Sequence, residues 1–140
     1  MRYWLFKSEP TTWGWPDQVA KGDAGEEWDG VRNYQARNFM REMSLGDRGF
    51  FYHSQKEKSV VGIVEVCATS HPDSSTTDAR WDCVDIKAVR GFVQPVSLDQ
   101  IKADPRLEEM ILVRNSRLSV QPVTAQEWQL ICALGQTDPD

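Results

Sequence analysis

The chain has 140 residues, 40% of them hydrophobic and 26% charged, with a net charge of −5, which suits one globular domain of ordinary composition. Its apolar runs last only a few residues, far short of the roughly 20 that cross a bilayer, and the stretch from Met1 to Lys7 meets charge too soon for a signal-peptide core. The acidic balance also argues against a protein that grips long duplexes by bulk electrostatics.

In chain order, Tyr3 to Glu9 reads as a strand with Trp4, Phe6 and Ser8 on one face and Tyr3, Leu5, Lys7 and Glu9 on the other. Pro10 closes it. Pro16 opens a short helix to Lys21 that Gly22 ends, and Gly22 to Gly30 reads as a loop holding Trp28. Asn33 is a natural N-cap for a helix from Tyr34 to Met43. The turn Leu45-Gly46-Asp47 then leads into three strands, Arg48–His53, Val60–Thr69 and Trp81–Val89, whose short links predict antiparallel pairing.

Ser97-Leu98-Asp99-Gln100 is a capping box for a short helix, and Pro105 opens a further turn from Arg106 to Met110. Ile111-Leu112-Val113 and Leu118-Ser119-Val120 read as short strands. A second capping box, Thr124 to Glu127, starts a helix with Trp128, Ile131 and Leu134 on one side and Gly135 at its end. This makes a single domain over residues 1–135, with 136–140 as a frayed acidic tail. The order of elements predicts an α+β fold on a small curved sheet of five or six strands that closes toward a barrel.

Charge is uneven along the chain. Residues 30–60 carry six basic side chains against three acidic ones, a local +3 that leaves −8 for the remainder. Such a segment docks a polyanion or is a solvated helix face. Cys67, Cys83 and Cys132 are odd in number and far apart, which reads as a reducing compartment without disulfides. His53 and His71 have no partners at metal-ligand spacing, so neither a metal nor a cofactor is expected.

Enzyme templates fail: there is no GxGxxG, Walker loop, HExxH or GxSxG. His53 and Ser54 point to opposite faces of a strand, and Glu65, inside an apolar strand, calls for an arginine partner. No catalytic residue is expected. The polar–aromatic segments are more informative. Lys7-Ser8-Glu9 leaves the first strand, Trp28-Asp29-Gly30-Val31-Arg32-Asn33 leads into a helix N-terminus, and Phe51-Tyr52-His53-Ser54 ends another strand. A tryptophan in a Gly-flanked loop suits a lid for a flat ring whose edge is read by hydroxyl, amide and backbone groups. The alternative is that Trp28 packs on the domain and Asn33 only caps its helix. Trp4 and Trp128 read as core, while Trp13, Trp15 and Trp81 carry no assignment.

The strings Tyr3–Pro10, Trp28–Asn38, Phe50–Ser54 and Arg117–Pro122 resemble the EVE domain of the PUA-like superfamily over essentially the whole chain. The chain is compact between Asp73 and Trp81, where members can carry a longer insertion. The resemblance implies a PUA-like, barrel-like, mostly antiparallel sheet flanked by short helices, with a pocket related to that of YTH-domain readers of methylated adenine. It implies a nucleic-acid partner carrying a modified base, with modified cytosine in DNA favoured over RNA. It further implies a cytoplasmic location, a monomer, no membrane partner and no cofactor.

On the matching strings, Lys7 and Ser8 would line the pocket and Trp28 would form one aromatic wall. Asn33 with the Val31–Arg32 backbone would read the base edge. Tyr52, His53 and Ser54 would form the opposite wall or rim, and Arg117 and Ser119 would close the far side. Phosphates would fall to Arg32, Arg37, Lys56 and Arg117. A small nucleotide-acting enzyme and a protein-interaction module with a residual pocket stand as alternatives.

Overall fold

Alternation along β1 (Tyr3–Ser8) sends Trp4 and Phe6 to one face and Leu5 to the other, and all three are fully buried. A strand apolar on both sides belongs inside a sheet covered on both faces. The computed structural model, which describes residues 1–140, has that arrangement. β1 pairs in parallel with β3 (Arg48–His53) and antiparallel with β6 (Val120–Val123). With β2 (Glu26–Glu27), β4 (Ser59–Pro72) and β5 (Asp82–Ser97), the six strands lie in the order β2-β5-β4-β3-β1-β6.

One apolar layer packs Trp4, Phe6, Phe51, Val64 and Ile86 against Ala36 and Met40 of α2 (Tyr34–Glu42). The other face carries Leu5, Phe50 and Ile63, covered by α3 (Leu98–Ala103), α4 (Ile111–Arg114) and α5 (Ala125–Leu134). There Trp128 stacks on Phe50 with ring centroids 4.0 Å apart and on Tyr3 at 4.4 Å. Trp4 and Trp128 are core residues, as read from the sequence.

The sheet is strongly curved. Four register shifts interrupt the β4–β5 ladder, and such bulges bend a strand pair. At one of them Gly62 faces Gly91, and Trp15, at the start of α1 (Trp15–Ala20), lies flat over both. A Cβ on Gly62 would sit 2.5 Å from the Trp15 ring, so glycine is required for the indole to seat. Closure into a barrel does not follow. β2 and β6 remain edges, β2 because it is two residues long and β6 because Pro122 removes a donor.

Local signals carried well. The Asn33 side chain accepts from the Ala36 N–H at 2.9 Å, and both capping boxes close at Ser97/Gln100 and Thr124/Glu127. β3, β4 and β5 form the antiparallel meander. Glu65 pairs with Arg48 at 3.1 Å and with Lys87 at 3.6 Å.

Four of the expected elements need correction. The Gly22–Gly30 loop holds a 3-10 turn and strand β2, an edge that a two-residue run cannot announce. β5 continues eight residues past Val89 to Ser97, because the bulges absorb the break in alternation at Arg90-Gly91. Ile111–Val113 is helical, with Arg114 N–H on the Met110 carbonyl at 3.0 Å; a three-residue apolar run does not discriminate helix from strand. Of Leu118–Val120, only Val120 enters a strand.

The tail does not fray. Buried Thr137 accepts from the Val93 N–H at 2.9 Å, Trp128 Nε1 donates to the Pro139 carbonyl at 3.0 Å, and Arg90 reaches the carbonyls of Asp138 and Asp140. Its partners lie in β5, α5 and, through Arg48 on the Asp140 carbonyl at 3.0 Å, β3, out of reach of local sequence reasoning. No helix is long and apolar enough to cross a membrane.

Candidate functional site

The parallel β1–β3 pair sets Ser8 beside His53, so the ends of two polar–aromatic strings meet at one end of the sheet. Ser54 donates both its N–H (2.9 Å) and its hydroxyl (3.2 Å) to the Ser8 carbonyl. Next to this junction lies a cavity of about 580 Å3, within the roughly 300–1,000 Å3 of small-molecule sites. Six sequence-nominated residues line it: Lys7, Ser8, Trp28, Val31, Arg32 and Ser119.

Trp28 is both core and wall. It is 8% exposed and packs edge-on against Phe6 (5.5 Å) and Phe51 (5.7 Å), while its N–H donates to Val84 O at 2.8 Å. The second indole at the cavity is Trp13, set by a turn in which Thr12 and Trp13 donate to the Glu9 carbonyl at 3.0 and 2.9 Å. Its Nε1 is held by Gln18 Oε1 at 3.0 Å, and its carbonyl accepts from the Ser8 hydroxyl. Thr12, Trp13, Glu26 and Glu27 were not singled out from the sequence, and Glu9, Asp29 and Gly30 entered only as parts of the polar–aromatic strings. The Gly-flanked-tryptophan signal that selected Trp28 applies equally to Trp13-Gly14, so that residue was findable.

The remaining nominated residues lie elsewhere. Tyr52 turns into the opposite core layer, where burial raises its phenol to about 12. His53 is a buried strut: its Nε2 accepts from the Trp15 N–H at 2.9 Å and its Nδ1 meets Glu57 at 2.7 Å. None of Tyr52, His53 and Ser54, expected as the opposite wall or rim, lines the cavity, where Trp13 stands as the second indole. Asn33 Oδ1 is taken by its helix cap, and the residue lies outside the lining. Arg117 is exposed in a turn outside the lining, Arg37 is half-buried on α2 against Tyr34 and Trp81, and Lys56 borders a separate depression with Glu57 and Ser97.

One residue organises the cavity lip from a distance. The Asp73 carboxylate, 1% exposed, accepts from Gly30 N (2.9 Å), Arg32 Nη1 (3.1 Å) and Ser75 N (2.8 Å). Burial alone would raise its pKa, but the hydrogen bonds from Ser75, Gly30 and Arg32 outweigh that and bring it down to about 2. The Gly30–Arg32 segment is thus anchored to a fixed negative charge.

The lining is acidic: four carboxylates (Glu9, Glu26, Glu27, Asp29) face two cations (Lys7, Arg32). Burial, together with the charges of Asp73, Glu27 and Glu26, raises Asp29. Ser74 donates its N–H (3.0 Å) and hydroxyl (2.7 Å) to Glu27 and lowers it. Burial lowers Lys7, whose ammonium donates to the Ser116 carbonyl.

Glu27, His71 and Cys83 offer the one grouping able to hold a metal, with donor atoms within 4.8 Å of one another. All three are engaged already. The Cys83 thiol donates to Glu27 at 3.3 Å and is pushed far up by burial and by that carboxylate, and His71 meets Asp85 at 2.8 Å.

Fold and cavity together describe a compact binding domain with an indole-walled, hydrogen-bonding pocket at one end of a curved sheet. The chain matches the EVE domain over residues 2–134 and belongs to that family. It is 61% identical to protein Atu2648 of Agrobacterium tumefaciens, whose crystal structure superposes with a TM-score of 0.97 over 98% of this chain and 94% of that one. It is 35% identical to mouse thymocyte nuclear protein 1 over 98% of this chain and 75% of the relative. The crystal structure of human THYN1 in complex with 5-methylcytosine-containing DNA aligns at 33% identity with a TM-score of 0.87, over 99% of this chain and 100% of that chain.

Proposed function

We propose that this protein is a modified-base reader that inserts a flipped base, modified cytosine in DNA foremost, into the cavity beside Trp28 and Trp13. The observation that carries the reading is this cavity of about 580 Å3, walled by two indoles and edged by hydrogen-bonding groups, in a chain aligned end to end with the DNA-bound THYN1 structure. Trp28 and Trp13 supply stacking surface, worth roughly 1–3 kcal/mol per base. Extruding the nucleotide costs a few kcal/mol, so edge hydrogen bonds must supply the remainder. Ser8, Ser119, Asp29 and the Val31–Arg32 segment border the cavity and would make them. Carboxylate acceptors suit the amino edge of a cytosine. A buried methyl adds about 0.8 kcal/mol, roughly fourfold in affinity.

The test is binding of short oligonucleotides carrying cytosine, 5-methylcytosine or 5-hydroxymethylcytosine, beside methylated RNA. Trp28→Ala would also excavate the core, so Trp13→Ala, at a half-buried position, is the cleaner variant. The expected result is a preference for a modified strand that Trp13→Ala removes. Equal affinity for all strands, or none, overturns the reading. Mass spectrometry of the incubated oligonucleotide tests the enzyme alternative: a new product would replace the reader with a catalyst.

A further inference from the structure

We propose that a ledge of arginines and aromatics beside the cavity docks the phosphodiester backbone flanking the inserted base. The nucleotide thus enters base first, with its phosphates outside. The inference rests on the base-reader reading for the identity of the ligand.

The ledge is built from two segments distant in sequence. Tyr34, the first residue of α2, stacks on Trp81, the residue before β5, with ring centroids 4.8 Å apart and planes 22° from parallel. Guanidinium groups gather on this pair. Arg32 lies 5.3 Å from the Trp81 centroid, and Arg37 lies 4.8 Å from Tyr34 and 5.9 Å from Trp81. Arg80 donates to the Tyr34 hydroxyl at 3.2 Å, and Arg37 donates to the Arg80 carbonyl at 2.9 Å. Trp81 is too buried to accept a base on its face, so the rings act as a template that holds cations in place.

These cations keep capacity to bind. A guanidinium has five N–H groups. Arg37 uses three, two on Asn38 and one on the Arg80 carbonyl, which leaves two. Arg32 also uses three, on Val31, Asp73 and Ser75, and its Nε–H is among the two left. Arg32 and Arg80 are each paired to an aspartate, whereas Arg37 has no carboxylate within 4.0 Å. Arg37 is the uncompensated positive charge of the ledge.

Electrostatics then orients the ligand. Four carboxylates against two cations make the cavity repel a phosphate, while the ledge attracts one. Arg32 belongs to both surfaces, lining the cavity and lying over Trp81, so base and adjacent phosphate would meet at that residue.

The test is fluorescence-anisotropy titration of single-stranded DNA, with cytosine or 5-methylcytosine at the central position, over about 50–200 mM salt. Arg80→Gln alters an exposed side chain and Arg37→Gln a half-buried one, and Lys102→Gln on α3, in the opposite layer, is the charge control. Each ledge variant should weaken both strands several-fold and by the same factor. Each should also lower the salt slope by about 0.7 for every phosphate of the single strand that the side chain neutralises in wild type. Lys102→Gln should change neither affinity nor slope.

Unchanged affinity and slope in Arg37→Gln, or an equal loss in Lys102→Gln, overturns the ledge. If wild type binds both strands equally, the base reading fails while the slopes still decide the ledge. No DNA binding by wild type overturns both.

Discussion

Replacing Asp73 by asparagine should weaken the fold in a pH-dependent way. The carboxylate is 1% exposed and bonded by Gly30 N, Arg32 and both donors of Ser75. Its drop from 3.8 to about 2 corresponds to roughly 2.5 kcal/mol of stability at neutral pH, at about 1.4 kcal/mol per pH unit. Asparagine keeps one acceptor and turns its NH2 toward donors, which adds about 1 kcal/mol or more for the unpaired groups. The expected loss in Asp73→Asn at pH 7 is therefore about 3.5 kcal/mol.

The sign follows from the direction of the shift. A carboxyl depressed on folding stabilises above its unfolded value and loses that contribution as pH falls toward the folded one. Between 3.8 and about 2, the charge contribution of Asp73 in wild type shrinks to about half by pH 3. Urea unfolding of both proteins at pH 7 and pH 3 should show the gap narrowing by roughly 1 kcal/mol. A gap below about 1 kcal/mol at pH 7, or one that stays constant, refutes the assignment of Asp73 as the anchored charge.

Three further outcomes can be checked independently. Gly62→Ala places a Cβ 2.5 Å from the Trp15 ring and should cost about 1–3 kcal/mol by overpacking, read as a lower denaturation midpoint; a neutral effect would show that the indole moves freely. Thr137→Val removes the acceptor of the Val93 N–H and should cost about 1–3 kcal/mol, whereas a tail that frays would lose less than about 0.5. Burial pulls His71 down, but its bonds to Asp85 and the Pro72 carbonyl prevail and raise it above 6.5. Its stabilising share is full at low pH and lost as pH rises through the folded value. Asp85→Asn should lower the His71 NMR titration midpoint, and an unchanged midpoint would sink that account.

Much of the site was visible as strings but not as a surface. Lys7, Ser8, Trp28, Val31, Arg32 and Ser119 converge on one cavity, and each sits in a segment whose residue types announced a ligand. Tyr52 and His53 carried the same chemical signal and were drawn inward. Strand alternation puts Tyr52 in one core layer, and the Trp15 N–H claims the His53 ring. Trp13 took their place because the turn after β1 folds its indole back across the strand end.

By itself the sequence determined what is decided within a few residues. Asn33, Ser97 and Thr124 start helices because their side chains reach N–H groups three residues on, and the Trp4–Phe6 alternation commits both faces of β1 to burial. Tertiary structure alone decided the parallel β1–β3 pairing, the open edges of the sheet, the Asp73 anchor 43 residues from Gly30 and the Tyr34–Trp81 stack. Those pairings depend on loop closure and on competition for the same buried surface, free energies that belong to the whole chain and leave no periodic trace in any one segment.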